Sequence, residues 1–327
     1  MPENKRQHYV PQNYLKGFSL DGDSIGVYVI ETDQWHDSAK IKTQAQESYF
    51  YGTDLTLEKG LSELEGLMAD NRKTVIENTT QKLSVYQREV LYQDMMLQLS
   101  RTKQMADIYE EMATNKARRL WSHSSDELVR EHANDFGIKF ANPILGPLMA
   151  LLKNLTICLD LEFKILINNT DIPFLTSDAP VSKYNKYFEA YHHTACGLNS
   201  KGLILFYPLT PQFAVLYYDH NVYRAKYRKR VYLDVTDESD VNNLNGLTCA
   251  WANRCVYYHP GLVDGEFVQW TYKHIQEARK PLVDETEIPQ GENKSLVISC
   301  QTFPYSYMAF SFMKFQDKVK PGNRELY

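Results

Sequence analysis

The amino-acid sequence predicts an α+β fold: a helical first half packed on a mainly antiparallel sheet built from hairpins in the second half. Three observations carry this. From Leu57 to Lys153 apolar residues recur every three or four positions, the period of helices with one buried face. From Leu161 onward they form short runs rich in Ile, Leu, Phe and Tyr, separated by turns such as Asn169-Thr-Asp171 and Pro208-Leu-Thr-Pro211. Helices therefore cluster before strands instead of alternating with them, unlike a doubly wound α/β chain. One integrated domain is expected over residues 1–327, helix-rich over 1–155, hairpin-rich over 156–315, with a basic tail over 316–327.

Hydrophobic residues make up 43% and charged residues 24%, which suits a packed core and argues against disorder. The 23 tyrosines bury area while keeping a polar tip. A formal net charge of −5 gives no global pull toward nucleic acid, so any such interface has to be a local basic patch. The five cysteines are scattered without a CxxC pair or zinc-ligand spacing, as in a reducing compartment. No apolar signal segment follows Met-Pro-Glu-Asn-Lys-Arg, and the best apolar run, residues 144–152, is too short to span a bilayer. The expectation is a cytoplasmic protein with no membrane partner.

The stretch His8-Tyr-Val-Pro-Gln12-Asn-Tyr14-Leu15-Lys-Gly-Phe18 opens the chain. Pro11 holds Val10 extended and presets the φ of a first helical residue. Leu15 and Phe18 share one face as anchors, while His8 and Gln12 bracket the strand-to-helix corner. Ser24 to Glu31 alternates as a strand, and residues 39–51 are expected to return beside it. Leu57, Leu61, Leu64, Met68 and Val75 mark a helix over roughly 56–78. Ser84, with Gln87 three residues on, is a capping box opening one long helix to about Trp121. Shorter helices are expected over 124–136, capped by Ser124 or Ser125, and over 143–153. Leu161 to Asn168 and Ile172 to Thr176 read as one hairpin, Leu203 to Tyr207 and Phe213 to Tyr218 as another. Asp237 to Asn253 has helical spacing, and strands are expected at 255–258, 266–273 and 296–300.

On the long helix Val90, Leu91, Leu97, Met105 and Ile108 share one side at about 100° per residue. Asp94, Gln98 and Arg101 land in the middle of that side, at spacings that let all three face one point. An unpaired charge among Leu and Met would cost several kcal/mol, so these groups need partners. Either they form a self-contained network tying the helix to the sheet, or they line a cavity whose contents complete the bonding. Further on, the apolar strand Phe174-Leu-Thr176 runs into Ser177-Asp178, and Pro180 stops it. A strand end is a good place to fix a reactive carboxylate, and equally a place for an Asx turn in which Asp178 caps its own backbone. Asn245 shares a helical face with Val241 and Leu244, as a buried hydrogen-bonder would.

His8-Tyr-Val-Pro-Gln12, Gln98-Leu-Ser-Arg101-Thr102, Thr176-Ser177-Asp178-Ala-Pro180-Val181 and Pro208-Leu-Thr-Pro211, in that order, resemble the motifs of the domain of unknown function 4238 family. The likeness runs from His8 to about Asn245, roughly three-quarters of the chain. Lys103 stands where members commonly carry proline, which lets the helix run on; Ala179 stands where asparagine is frequent. Glu58 and Glu65 match the family's early helical acids, and at i, i+7 on an amphipathic helix they are expected to be solvated. The resemblance implies bacterial proteins, some of them encoded among anti-phage defence genes.

Tyr223-Arg-Ala-Lys226-Tyr-Arg228-Lys-Arg230-Val-Tyr232 interleaves bases with aromatics, a pattern that suits single-stranded nucleic acid and also a charged, protected hairpin edge. His192-His193 has no companion at metal-binding spacing and reads as a loop. The sequence lacks HExxH, Walker, GxSxG and GxGxxG motifs, which disfavours the enzymes built on them. The expected function is a toxic defence effector, nuclease-like or nucleotide-attacking, with RNA, DNA or nucleotides as partners. His8 is its acid/base and Gln12 orients it; Arg101 and Gln98 bind phosphate; Asp178 pairs with His8 or holds a metal. Asp94, Ser177, Asn245, Lys226, Arg228 and Arg230 complete the substrate contacts. No cofactor is evident, and Mg²⁺ would depend on Asp178, with Asp94 and Glu65 converging on it. The alternative is a non-catalytic ligand- or nucleic-acid-binding sensor module of a defence system.

Overall fold

The computed structural model describes residues 5–53, 55–80, 82–189, 196–276, 283–289, 295–301 and 308–316. His192-His193 and residues 317–327 of the basic tail lie outside them. The chain enters on β1 (Arg6–His8) and turns at Pro11 into helix α1 (Gln12–Leu15), extended by a 3-10 turn over Lys16–Phe18. The Pro11 carbonyl accepts from the Tyr14 and Leu15 N–H groups, and Val10, Leu15 and Phe18 are fully buried, so this terminus is anchored. Strands β2 (Ser24–Val29) and β3 (Gln34–Lys40) form a hairpin, and β4 (Gln46–Ser48) pairs with β1. The returning strand thus begins earlier than the expected residues 39–51. Asp33 takes a left-handed φ of 55°, which closes a tight reversal, and β3 is so exposed that it carries no apolar alternation to reveal it.

Helix α2 (Thr56–Glu77) lies where its stripe predicts, and α3 (Val85–Ser100) opens on the Ser84–Gln87 capping box. The single long helix is a misreading: it breaks at Arg101-Thr102, and α4 (Lys103–Ser122) starts afresh. Thr102 is extended (ψ 156°), and its hydroxyl caps the Met105 N–H at 3.2 Å. Lys103 permits a helix there, but the threonine cap before it decides the break. Helix α5 (Glu127–Glu131) is shorter than expected and is capped by Asp126 in place of Ser124 or Ser125; α6 (Leu145–Lys153) follows.

The strands then come quickly: β5 (Glu162–Asn168), β6 (Thr176–Ser177) and β7 (Ser182–Tyr184), the short helix α7 (Lys186–Glu189), then β8 (Ile204–Pro208) and β9 (Phe213–Tyr218). Strands β10 (Tyr223–Ala225) and β11 (Tyr232–Val235) precede helix α8 (Glu238–Trp251), strand β12 (Cys255–Tyr258) and helix α9 (Gly265–Gln276). A hairpin of β13 (Val283–Pro289) and β14 (Ser295–Gln301), then β15 (Met313–Phe315), complete the described chain.

The fold is α+β. A five-stranded sheet has the order β11-β5-β9-β8-β7, antiparallel except for the β11–β5 pair. A four-stranded antiparallel sheet, β3-β2-β12-β6, joins the N-terminal hairpin to late strands. The β8–β9 hairpin is as predicted, but residues 172–176 do not pair with β5, whose neighbours are β9 and β11. Instead the Asn245 side chain occupies their backbone groups, its Oδ1 accepting from the Leu175 N–H (2.8 Å) and its Nδ2 donating to the Pro173 carbonyl (2.9 Å). Residues 266–273 are helical in α9, although rich in β-formers: Val268, Tyr272 and Ile275 bury one face at helical spacing, and Asp264 caps the Phe267 N–H. Helix α3 lies on the five-stranded sheet, where the Tyr207 hydroxyl donates to Asp94 at 3.2 Å and the Tyr92 and Tyr217 rings meet at 6.3 Å. Among the described residues no helix is long and apolar enough to cross a membrane.

Candidate functional site

Alternation along β1 sends Gln7 into the protein and leaves His8 half-buried at its edge. The Gln7 amide accepts from the Tyr51 N–H (2.6 Å) and donates to the Gly52 carbonyl (3.1 Å) and the Glu58 carboxylate (3.2 Å), tying β1 to the start of α2. Arg101 reaches the same corner from the break between α3 and α4. Its Nε donates to the Tyr51 hydroxyl (2.9 Å), its Nη1 to Glu65 (2.5 Å) and its Nη2 to the His8 backbone carbonyl (2.9 Å). The Tyr51 hydroxyl donates to that carbonyl too (3.1 Å), so the His8 backbone is clamped from two sides.

Around this clamp opens a polar cleft of about 380 Å³ whose lining includes His8, Gln12, Lys16, Glu58, Glu65 and Arg101. Gln12 and Lys16 stand four residues apart on an exposed rim, and Lys16 forms no ion pair among the described residues. The His8 Nε2 lies 3.2 Å from the Lys42 carbonyl. A carbonyl can only accept, so Nε2 carries the proton and Nδ1 keeps its lone pair, with no hydrogen-bond partner among the described residues. Burial holds the imidazole below its usual 6.5; the Lys42 hydrogen bond and Glu65 pull upward, and Arg101 pushes down. Near neutral pH His8 is therefore a neutral base with its proton position set.

The expected pocket of His8, Gln98, Arg101 and Asp178 does not form. Asp178 is buried at the end of β6 and faces the α8–β12 junction, where its two oxygens accept the Asn253 and Arg254 N–H groups at 2.9 Å each. Burial pushes its carboxyl up to about 6 against those hydrogen bonds. It meets neither His8 nor the cleft, because β6 ends against the α8–β12 junction and not at the cleft. Ser177 closes a local turn, donating to the Ala179 carbonyl (2.9 Å) and accepting from the Ala179 N–H (3.1 Å), and Asn245 is spent on residues 173–175. Gln98 is sealed in the core, with neither amide atom hydrogen-bonded among the described residues. Asp94 accepts from Arg72 Nη1 (2.6 Å), whose Nη2 donates to Asn13 Oδ1 (2.9 Å), while Asn13 Nδ2 donates to the Glu65 carbonyl (3.2 Å). Asp94 thus braces the cleft from behind without lining it.

The three carboxylates needed for Mg²⁺ are spread over separate partners: Asp178 on backbone, Asp94 on Arg72, Glu65 on Arg101. Among the described residues no three His, Cys, Asp or Glu side chains converge to hold a metal ion. Gln12 makes no hydrogen bond to His8. Arg228 and Arg230 line a second cleft that Lys226 does not reach. Sequence reasoning missed Gln7, Lys16 and Arg72, and took Glu58 and Glu65 as solvated. The i, i+4 step from Gln12 to Lys16 could have shown the cation; nothing local could have shown that Arg101 would sit over α2.

No curated protein and no solved structure matches the chain. Residues 6–261, which hold every residue of the His8 cleft, match the family described as Protein of unknown function (DUF4238). The chain is a member of the DUF4238 family.

Proposed function

We infer that the His8 cleft attacks phosphate esters of RNA, DNA or nucleotides, the activity of a toxic effector in a bacterial defence system. The observation that carries this reading is the imidazole itself, neutral, with Nε2–H given to the Lys42 carbonyl and Nδ1 unengaged in a polar cleft. Nδ1 takes the proton of an attacking hydroxyl, from water or a ribose 2′-position. The new P–O bond forms as the bond to the leaving oxygen breaks, and that oxygen takes its proton from solvent. Lys16 meets the charge on the phosphoryl oxygens, with Gln12 beside it as a neutral donor. Arg101 is a positioning residue: its contacts with Glu65, Tyr51 and the His8 carbonyl fix where the imidazole stands.

The non-catalytic sensor reading draws support from the same Arg101, since its pairing with Glu65 leaves Lys16 as a cleft cation with no ion pair among the described residues. Turnover separates the two readings. Breakdown of RNA, DNA and nucleotides, and toxicity on expression, should fall about a hundredfold or more in His8→Ala and clearly in Lys16→Ala. Ligand-induced thermal stabilisation without any breakdown points to the sensor. Equal breakdown and toxicity in all three proteins would remove His8 from the chemistry.

A further inference from the structure

A second cleft, of about 440 Å³, opens between the first turns of α3 and the start of β5, and it shares no lining residue with the His8 cleft. Its wall is cationic: Arg88 from α3 and Arg228, Lys229 and Arg230 from the loop between β10 and β11, against Glu89 and Glu162. Among the described residues no carboxylate pairs with Arg88, Arg228 or Lys229, although the chain as a whole carries a net charge of −5. Glu162 is engaged by the Tyr218 hydroxyl at 3.0 Å.

The cationic loop is held from beneath. Lys164, 2% exposed, donates to the carbonyls of Tyr227 (3.1 Å), Arg228 (3.3 Å) and Arg230 (2.5 Å), and Tyr227 takes a left-handed φ of 50°. An ammonium spent on three loop carbonyls fixes the loop's path before any ligand arrives. The floor is aromatic. Tyr217 is 3% exposed, and its ring packs against those of Phe163 (5.5 Å) and Tyr92 (6.3 Å). Tyr217 supports the floor from beneath, and its hydroxyl is buried inside the protein.

We propose that this cleft binds a nucleoside phosphate, its base against the Phe163 ring and its phosphates on Arg88, Arg228 and Lys229. Each end of that ligand answers one feature of the cleft. A flat base offers the half-buried Phe163 ring a face, and phosphate suits guanidinium and ammonium groups that no carboxylate among the described residues neutralises. The volume falls within the range of small-molecule sites, roughly 300–1,000 Å³. The cleft is a second site, separate from the chemistry at His8, so a nucleotide there would act as a signal.

Calorimetric titration of the full chain with ADP and UDP tests this, with adenosine, inorganic phosphate and an oligothymidylate as comparison probes. Either nucleotide should bind the wild type more tightly than adenosine or phosphate does. The exposed double substitution Arg228→Ala/Lys229→Ala should weaken binding about tenfold or more. His8→Ala should leave it unchanged. No binding of either nucleotide at millimolar concentration, or equal binding by wild type and the loop variant, overturns the proposal. Phosphate binding as tightly as ADP reduces the cleft to an anion site, and an oligothymidylate that ADP cannot displace makes it a strand-binding surface; either result also overturns it.

Discussion

Burial holds His8 below the ordinary 6.5 of an imidazole, and that direction sets two pH effects. Nδ1 is a base only in the neutral ring, so the rate of the proposed cleavage should rise as pH climbs through the folded-state value below 6.5 and level off before neutrality. The same shift bears on stability. The unfolded chain binds the His8 proton more readily, so the contribution is fully present above about 6.5 and is lost as pH falls through the folded-state value. A pH–rate profile and denaturation midpoints over pH 5–8, compared with His8→Gln, check both; identical profiles would refute them. Asp178 is a structural residue on the same reasoning, since its oxygens are hydrogen-bonded to the Asn253 and Arg254 N–H groups. Asp178→Asn puts an NH₂ against one of those donors and should destabilise the fold by about 2 kcal/mol, with the rate per folded molecule preserved. A rate loss in fully folded Asp178→Asn would return the carboxylate to the chemistry.

Elements formed where their own pattern was strong and slipped where a side chain overrode it. The α2 stripe and the Ser84–Gln87 box were legible because periodicity and capping are local. Thr102 broke the long helix with a single hydroxyl, which turned Arg101 from a mid-helix residue into one at a corner, free to reach Glu65. Asn245 shows the opposite dependence, because α8 supplies the hydrogen bonds that a neighbouring strand would have given residues 173–175. Asn245→Ala should therefore cost about 2–4 kcal/mol by leaving a buried N–H and a buried carbonyl unpaired, measured as a lowered denaturation midpoint. A shift near zero would mean that the segment has another partner.

At the scale of the whole molecule the two buried guanidinium groups, Arg72 and Arg101, hold the cleft together. Arg72 joins α2 to α3 through Asp94 and to α1 through Asn13, and the Tyr207 hydroxyl adds β8 to the same carboxylate. Arg72→Met leaves Asp94 charged and unpaired in the core, at a cost of about 3–5 kcal/mol, while Arg72→Met/Asp94→Leu should recover much of it. If the single and double variants unfold alike, the ion pair is not what joins these elements. The order of the sheets is a similar long-range matter. Strand β2 lies near its expected position, but its pairing with β12, more than two hundred residues away, carries no local signal.

By itself the sequence determined the α+β class, the anchored corner at His8, the helical stripe of α2 and the need for buried polar groups on α3 to find partners. Each of these follows from spacing, capping or desolvation, which act over a few residues. Only the tertiary structure decided which partners those groups took. Arg101 went to Glu65 and the His8 carbonyl, Asp94 to Arg72, and Asp178 to backbone N–H groups, so three motifs expected to share one pocket serve three different tasks. The physical reason is that a buried charge must be satisfied by the nearest suitable group in space, and the packing of distant segments sets which group that is.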